Sequence, residues 1–221
     1  MKVCTDACLF GAWIANKIEG DEISADKILD IGTGTGLLSL MLAQKTTATI
    51  DAVEIVKEAF LQAKENIKKS PWGNRINIIN SNILNLPAGE KYDLIICNPP
   101  FYEGDLKSPH AERNIAMHST DLTFFNLVFA IKNNLSDQGI AAVLLPFSRI
   151  NAFKNELTAQ KLFTTDELHI SNSPQSDIFR SILIISFSEI AYRVKKISVK
   201  NETGEYSVAF KDLLKDYYLK L

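Results

Sequence analysis

Asp30-Ile31-Gly32-Thr33-Gly34-Thr35-Gly36 stands between an apolar stretch at 27–31 and a helical pattern at 37–44. Glycines at this spacing let the backbone turn tightly and come close to a ligand, beside the positive end of a helix. A lone glycine-rich turn also serves as a plain strand-to-helix connection, so the neighbouring segments decide its reading. Outward from it, apolar runs expected as strands (48–53, 76–80, 92–97, 140–145) alternate with segments of helical period (56–69, 122–133, 152–160), and an amphipathic helix is expected at 7–18. Strands separated by helices pair in parallel through right-handed crossovers, which makes an α/β three-layer sandwich. Two late strands, 165–170 and 180–188, are joined too closely for a helical crossover and are expected to run antiparallel. The expected fold is a mostly parallel, seven-stranded sheet with one antiparallel strand, in a single domain over 1–221. A short strand at 197–199 and a closing helix at 206–221 end it.

The chain has 221 residues, 46% hydrophobic and 23% charged, enough for a substantial core. Its 24 basic and 26 acidic residues nearly cancel, so any grip on nucleic acid has to be local. The apolar runs are strand-sized, too short to span a bilayer, and the start lacks a secretory pattern. Cys4, Cys8 and Cys97 form no metal-ligand pattern and read as free thiols of a reducing cytosol. No metal and no membrane are expected; the location is cytoplasmic and the favoured state a monomer.

Two carboxylates sharpen the glycine turn. Glu54 closes the second strand, where a carboxylate can accept both hydroxyls of a ribose, and Asp30 heads the turn itself. A dinucleotide fingerprint needs glycine where this chain has Leu37, which disfavours a dinucleotide. A mononucleoside-like cofactor with a free ribose and a cationic part fits better. A second motif, Asn98-Pro99-Pro100-Phe101, follows the strand at 92–97. Neither proline can donate a backbone hydrogen bond, and each restricts the residue before it. The chain is therefore stiffened with an amide before the prolines and an aromatic ring after them.

The turn resembles the [DE]-x-G-x-G-x-G motif of class I S-adenosylmethionine-dependent methyltransferases. That resemblance implies S-adenosyl-L-methionine as cofactor, lined by Gly32, Thr33, Gly34 and Gly36, with Asp30 near its methionine amine. Glu54 would take the ribose and Ile55 would lie against the adenine. Asn82, beside Ile83, stands where such enzymes often carry Asp for the adenine amino group, and Asn can still accept that bond. Thr5 and Asn98 complete the expected cofactor set. In amino-methylating members, [DNS]-P-P-[FYW] follows the fourth strand, so Asn98, Pro99, Pro100 and Phe101 are the expected catalytic residues. An amine conjugated to a ring is a poor nucleophile. Carbonyl oxygens of Asn98 and Pro99 would accept its N–H groups and aim its lone pair, while Phe101 would stack on the ring.

Adenine-N6, guanine-N2 and protein glutamine-N5 methyltransferases share that tetrapeptide. The opening Met1-Lys2-Val3-Cys4-Thr5-Asp6 through Leu9, Gly11, Ala12 and Trp13 is similar to that of bacterial tRNA1(Val) (adenine-37-N6)-methyltransferases. So are Leu122-Thr123-Phe124 and the closing stretch from Gly204-Glu205-Tyr206 to Asp216-Tyr217-Tyr218-Leu219. The resemblance covers essentially the whole chain and implies N6-methylation of a tRNA adenine, with tRNA as partner. It also implies that a short N-terminal segment of the family is missing here. Where an Ala-Arg-His-like element is expected, the chain reads Ala116-Met117-His118, with Arg113 nearby.

The stretch 107–113 reads equally as a lid gripping substrate or a solvated loop. Lys195, Lys196, Lys200, Lys211 and Lys215 read as scattered surface lysines, with a phosphate-binding face as the alternative. Phe124, Phe125 and Phe129, at helical spacing, are expected in the core. A release-factor glutamine methyltransferase is the enzyme alternative, but that class usually has a helical N-terminal domain and ends its motif in Tyr. An idle RNA-binding module would have no use for Asn98, Pro99 and Phe101 together.

Overall fold

The computed structural model describes residues 4–87, 89–100, 122–190 and 192–220. Eight strands form one sheet: β1 (Lys27–Ile31), β2 (Thr49–Glu54), β3 (Ile76–Asn80), β4 (Tyr92–Cys97), β5 (Leu135–Pro146), β6 (Phe163–Ser171), β7 (Ile178–Ser186) and β8 (Arg193–Ser198). Their order is β3-β2-β1-β4-β5-β7-β6-β8. All pairings are parallel except those of β7, which runs antiparallel to both β5 and β6. The sequence reading of seven strands is corrected to eight. The tail strand, expected at 197–199, runs from Arg193 to Ser198 and extends the sheet, pairing in parallel with β6 from Asp166–Arg193 to Ser171–Ser198. Four exposed residues, Arg193 to Lys196, hide its strand character from hydrophobic patterning.

One face carries α1 (Thr5–Glu19), α2 (Leu37–Ala43), α3 (Lys57–Lys69) and α6 (Val208–Leu214), packed over Ile28, Ile50, Leu94, Ala142, Leu144 and Ile182. The other carries α4 (Phe124–Asn134) and α5 (Ile150–Ala159), over Leu29, Ile31, Ile95, Val143, Leu145 and Leu183. Odd and even strand positions thus feed two separate cores, as period-two alternation requires in a sheet covered on both sides. At the α1–α2 crossing, Gly11 leaves so little room that an added Cβ would lie 2.7 Å from the Met41 sulfur.

The expected core position of Phe125 and Phe129 is overturned. Helix α4 turns Leu127, Val128 and Ile131 inward, with Phe124 packed against the same cluster. Phe125 and Phe129, one helical turn apart, lie on the outer side, 58% and 45% exposed, and stack on each other with centroids 6.3 Å apart.

Candidate cofactor and catalytic site

Strand order reverses between β1 and β4, and the crevice at their carboxyl ends is where open α/β sheets bind ligands. Register fills that crevice. Ile31 pairs with Val53 of β2 and Cys97 of β4, and Glu54 pairs with Asn80 of β3. One residue further on, Gly32 therefore has Glu54 on one side and Asn98 on the other. Two motifs far apart in the chain thus leave the carboxyl ends of neighbouring strands.

The glycine turn is tied down from both directions. Gly32 and Thr33 both donate their backbone N–H to the Val53 carbonyl, at 2.9 and 3.0 Å, and the Asn66 amide of α3 holds the Thr35 carbonyl at 2.9 Å. Gly32 has φ +69° and Gly36 φ +85°, a region costly for residues with a Cβ. Their surroundings differ. A Cβ on Gly36 would touch Ala63 and Ile67 of α3, whereas one on Gly32 would meet nothing within 4 Å among the described residues. The space beside Gly32 is open to a ligand.

Asp30 is fully buried. Its Oδ2 accepts from the Thr33 hydroxyl at 2.6 Å, the Ser39 hydroxyl at 2.7 Å and the Ser39 backbone N–H at 3.2 Å. It thus satisfies a free donor in the first turn of α2, whose N-cap Gly36 has no side chain to do so. Its Oδ1 is buried without a partner among the described residues. Burial pushes the Asp30 carboxyl up, against the pull of its bonds to Thr33 and Ser39. Ser39 was missed in the sequence; its only signal was one polar residue among Leu37, Leu38 and Leu40.

Glu54 is 6% exposed and uses both oxygens on backbone: Oε2 accepts from Gly34 N–H and Oε1 from Val56 N–H, each at 2.8 Å. Asn80, also missed, donates its amide to the carbonyls of Glu54 and Ile55 at 2.8 and 3.2 Å and fixes the bend after β2. Beyond that bend Ile55 and Val56 are 42% and 51% exposed, an apolar shelf at the end of β2. Asn82 uses its side-chain oxygen to accept from Leu84 N–H at 3.0 Å, capping a short turn, with Ile83 buried beneath.

Asn98 is half-buried, Pro99 buried and Pro100 exposed. Thr5 is exposed at the start of α1, next to Asp6, whose carboxylate receives the Arg180 Nε at 3.0 Å. Arg180 pairs with Pro146 at the carboxyl end of β5, so α1 begins at the same sheet edge as the glycine turn. Phe101, Tyr102, the stretch 107–113, Ala116-Met117-His118 and Met1 to Val3 lie outside the described residues.

A nucleoside-type methyl donor fits what is present. Among the described residues there is open space against a glycine, a buried carboxylate oxygen without a partner at the head of the same turn, and an apolar shelf beyond a fixed carboxylate.

Residues 13–123 match the methyltransferase small domain family. The chain is 40% identical to the tRNA1(Val) (adenine(37)-N6)-methyltransferase of Dyadobacter fermentans, over all of this chain and 91% of that one. It is 37% identical to the protein of that name from Parabacteroides distasonis, over all of this chain and 92% of the other. The chain belongs to the tRNA1(Val) (adenine(37)-N6)-methyltransferase family. The fold is matched by a predicted O-methyltransferase from Agrobacterium tumefaciens, with TM-score 0.73, 14% identity and 95% of each chain covered. A ribosomal protein L11 methylase from Lactobacillus delbrueckii matches with TM-score 0.56 and 17% identity, over 81% of this chain and 77% of that one.

Proposed function

We propose that this protein transfers the methyl group of S-adenosylmethionine to N6 of adenosine-37 in tRNA1(Val), as one catalytic domain, monomeric and cytoplasmic. The observation that carries this reading is the register placing Asn98 one strand away from Gly32, with Glu54 on the opposite side. Bound there, the cofactor supplies an electrophilic methyl group on a sulfonium. The residues of the chain do the rest. The Asn98 side-chain carbonyl and the Pro99 backbone carbonyl accept the two N–H groups of the adenine amine. That draws its lone pair out of conjugation and toward the methyl, by positioning and electrostatics without a strong base. Pro99 and Pro100 stiffen the exit of β4 so that Asn98 holds its place. The Ile55–Val56 shelf supports the cofactor's adenine, and Glu54 faces its ribose. No helix among the described residues is long and apolar enough to cross a membrane.

The test is mass spectrometry of nucleosides from tRNA incubated with protein and cofactor, wild type against Asn98→Ala. N6-methyladenosine at one position of one tRNA is expected from the wild type. Asn98→Ala should lose most turnover while cofactor affinity by calorimetry stays close to wild type, since Asn98 acts mainly on the accepting amine. Methyl transfer to a release factor instead of RNA would refute the assignment.

A further inference from the structure

We infer that the nucleotide next to the target adenine stacks on Phe147, and that its backbone leaves the catalytic pocket across the carboxyl ends of β5, β6 and β8 and the amino end of β7, toward Lys196. This rests on the RNA substrate proposed above.

Phe147 directly follows Pro146, the last residue of β5, the strand beside β4. Cys97 pairs with Val143, so Asn98 is level with Leu144 and Phe147 stands three residues further out along the neighbouring strand. At about 3.3 Å per residue and 4.8 Å between strands, the two lie on the order of 10 Å apart, within reach of adjacent nucleotides in an unstacked loop. Phe147 is 41% exposed. An apolar ring at that exposure beside a catalytic crevice offers a face to a base.

Its support is built. The Phe147 ring meets the His169 ring edge-on, centroids 5.2 Å apart and planes at 76°. His169 is fixed by its Nε2 contact to Glu167 Oε1 at 2.6 Å, and Glu167 is held in turn by Lys154 at 2.6 Å and by the Tyr192 hydroxyl. The Glu167 carboxylate is therefore buried and neutralised, and Asp6, at the same end of the sheet, is paired with Arg180. His169 pairs in register with Lys196 of β8. Lys196 alternates with the inward Ile197 and is exposed, with no ion-pair partner among the described residues. Arg149, exposed two residues after Phe147, lies with its guanidinium 5.4 Å from the centre of the Phe124 ring. An aromatic face followed by cations along one edge is how single-stranded nucleic acid is held.

The experiment measures binding of an unmodified anticodon stem-loop by fluorescence anisotropy and methylation of the same RNA, with cofactor affinity taken separately by calorimetry. Phe147→Ala should weaken RNA binding about tenfold, the scale of one lost base–aromatic stack, with cofactor affinity unchanged. Phe147→Tyr should restore it, since the face is kept. Lys196→Ala should lower the salt dependence by about one released counterion. Wild-type RNA affinity in Phe147→Ala, in a preparation whose wild type methylates the stem-loop, would overturn the inference and leave the activity standing. A wild type that methylates no RNA would overturn both.

Discussion

Asp30 and Gly32 show how one short stretch serves two purposes. Among the described residues, the carboxylate binds the start of α2 with one oxygen and leaves the other unpartnered, and Gly32 faces open space. Gly32 and Gly36 share a left-handed backbone but not surroundings, which gives a direct comparison. Gly32→Ala and Gly36→Ala should each cost about 1–2 kcal/mol of stability from backbone strain. Only Gly32→Ala should lose cofactor affinity out of proportion to that cost, because its methyl enters the ligand's space. Denaturant melts beside calorimetric titrations separate the two effects; equal loss of affinity in both variants would place the cofactor elsewhere. At this scale the sequence offered as candidates the residues whose type the chemistry dictates, the three glycines, Glu54 and Asn98. It was silent on the second partners, Ser39 and Asn80, because ordinary polar residues gain these roles only when folding brings them to a backbone group.

Elements were legible where their apolar period is clean. Strands β1 to β4 fall within one residue of their expected bounds. The antiparallel relation of β6 and β7 followed from a connection too short to cross over. Helix α4 was located, yet its facing was misread: counting three aromatic rings as core ignored the stripe of Leu127, Val128 and Ile131, which already fills the inward side. The Glu167 network ties α5 to β6 and to the residue before β8, two strands already paired with each other. Burial works to raise the Glu167 carboxyl, but hydrogen bonds from Lys154, Tyr192 and His169 outweigh it and hold the group below its ordinary range. A carboxyl depressed in the folded state contributes stability that is present above its unfolded pKa and is lost as pH falls through the folded value. This network should therefore hold at neutral pH and weaken only below about pH 4.3, where carboxyls protonate in the unfolded chain. Glu167→Gln should destabilise by about 2–3 kcal/mol at pH 7, less than a sealed ion pair because Lys154 can reach water. The difference from wild type should shrink in acid; thermal melts at both pH values check it.

The whole molecule carries almost no net charge, so its affinity for RNA has to come from where cations stand rather than how many there are. It is also closed by its own tail. Phe210 and Leu214 of α6 are fully buried in the cluster that holds α1, and β8 covers the outer edge of β6. A chain ended at Ser188 should expose both that apolar seat and an unpaired strand edge, and so associate in solution. Size-exclusion chromatography should show oligomers, and a monomer melting like the full chain would refute the closing role. The strand order β5-β7-β6-β8 has a further meaning for a chain made from its amino end. When β6 leaves the ribosome, its place in the sheet is still separated from β5 by a gap one strand wide, which only the later β7 can fill. The half from β1 to β5 can assemble as it emerges, while β6 must wait unpaired. Synthesis thus leaves a brief interval, ended by β7, in which the nascent sheet has an open edge and a loose strand beside it.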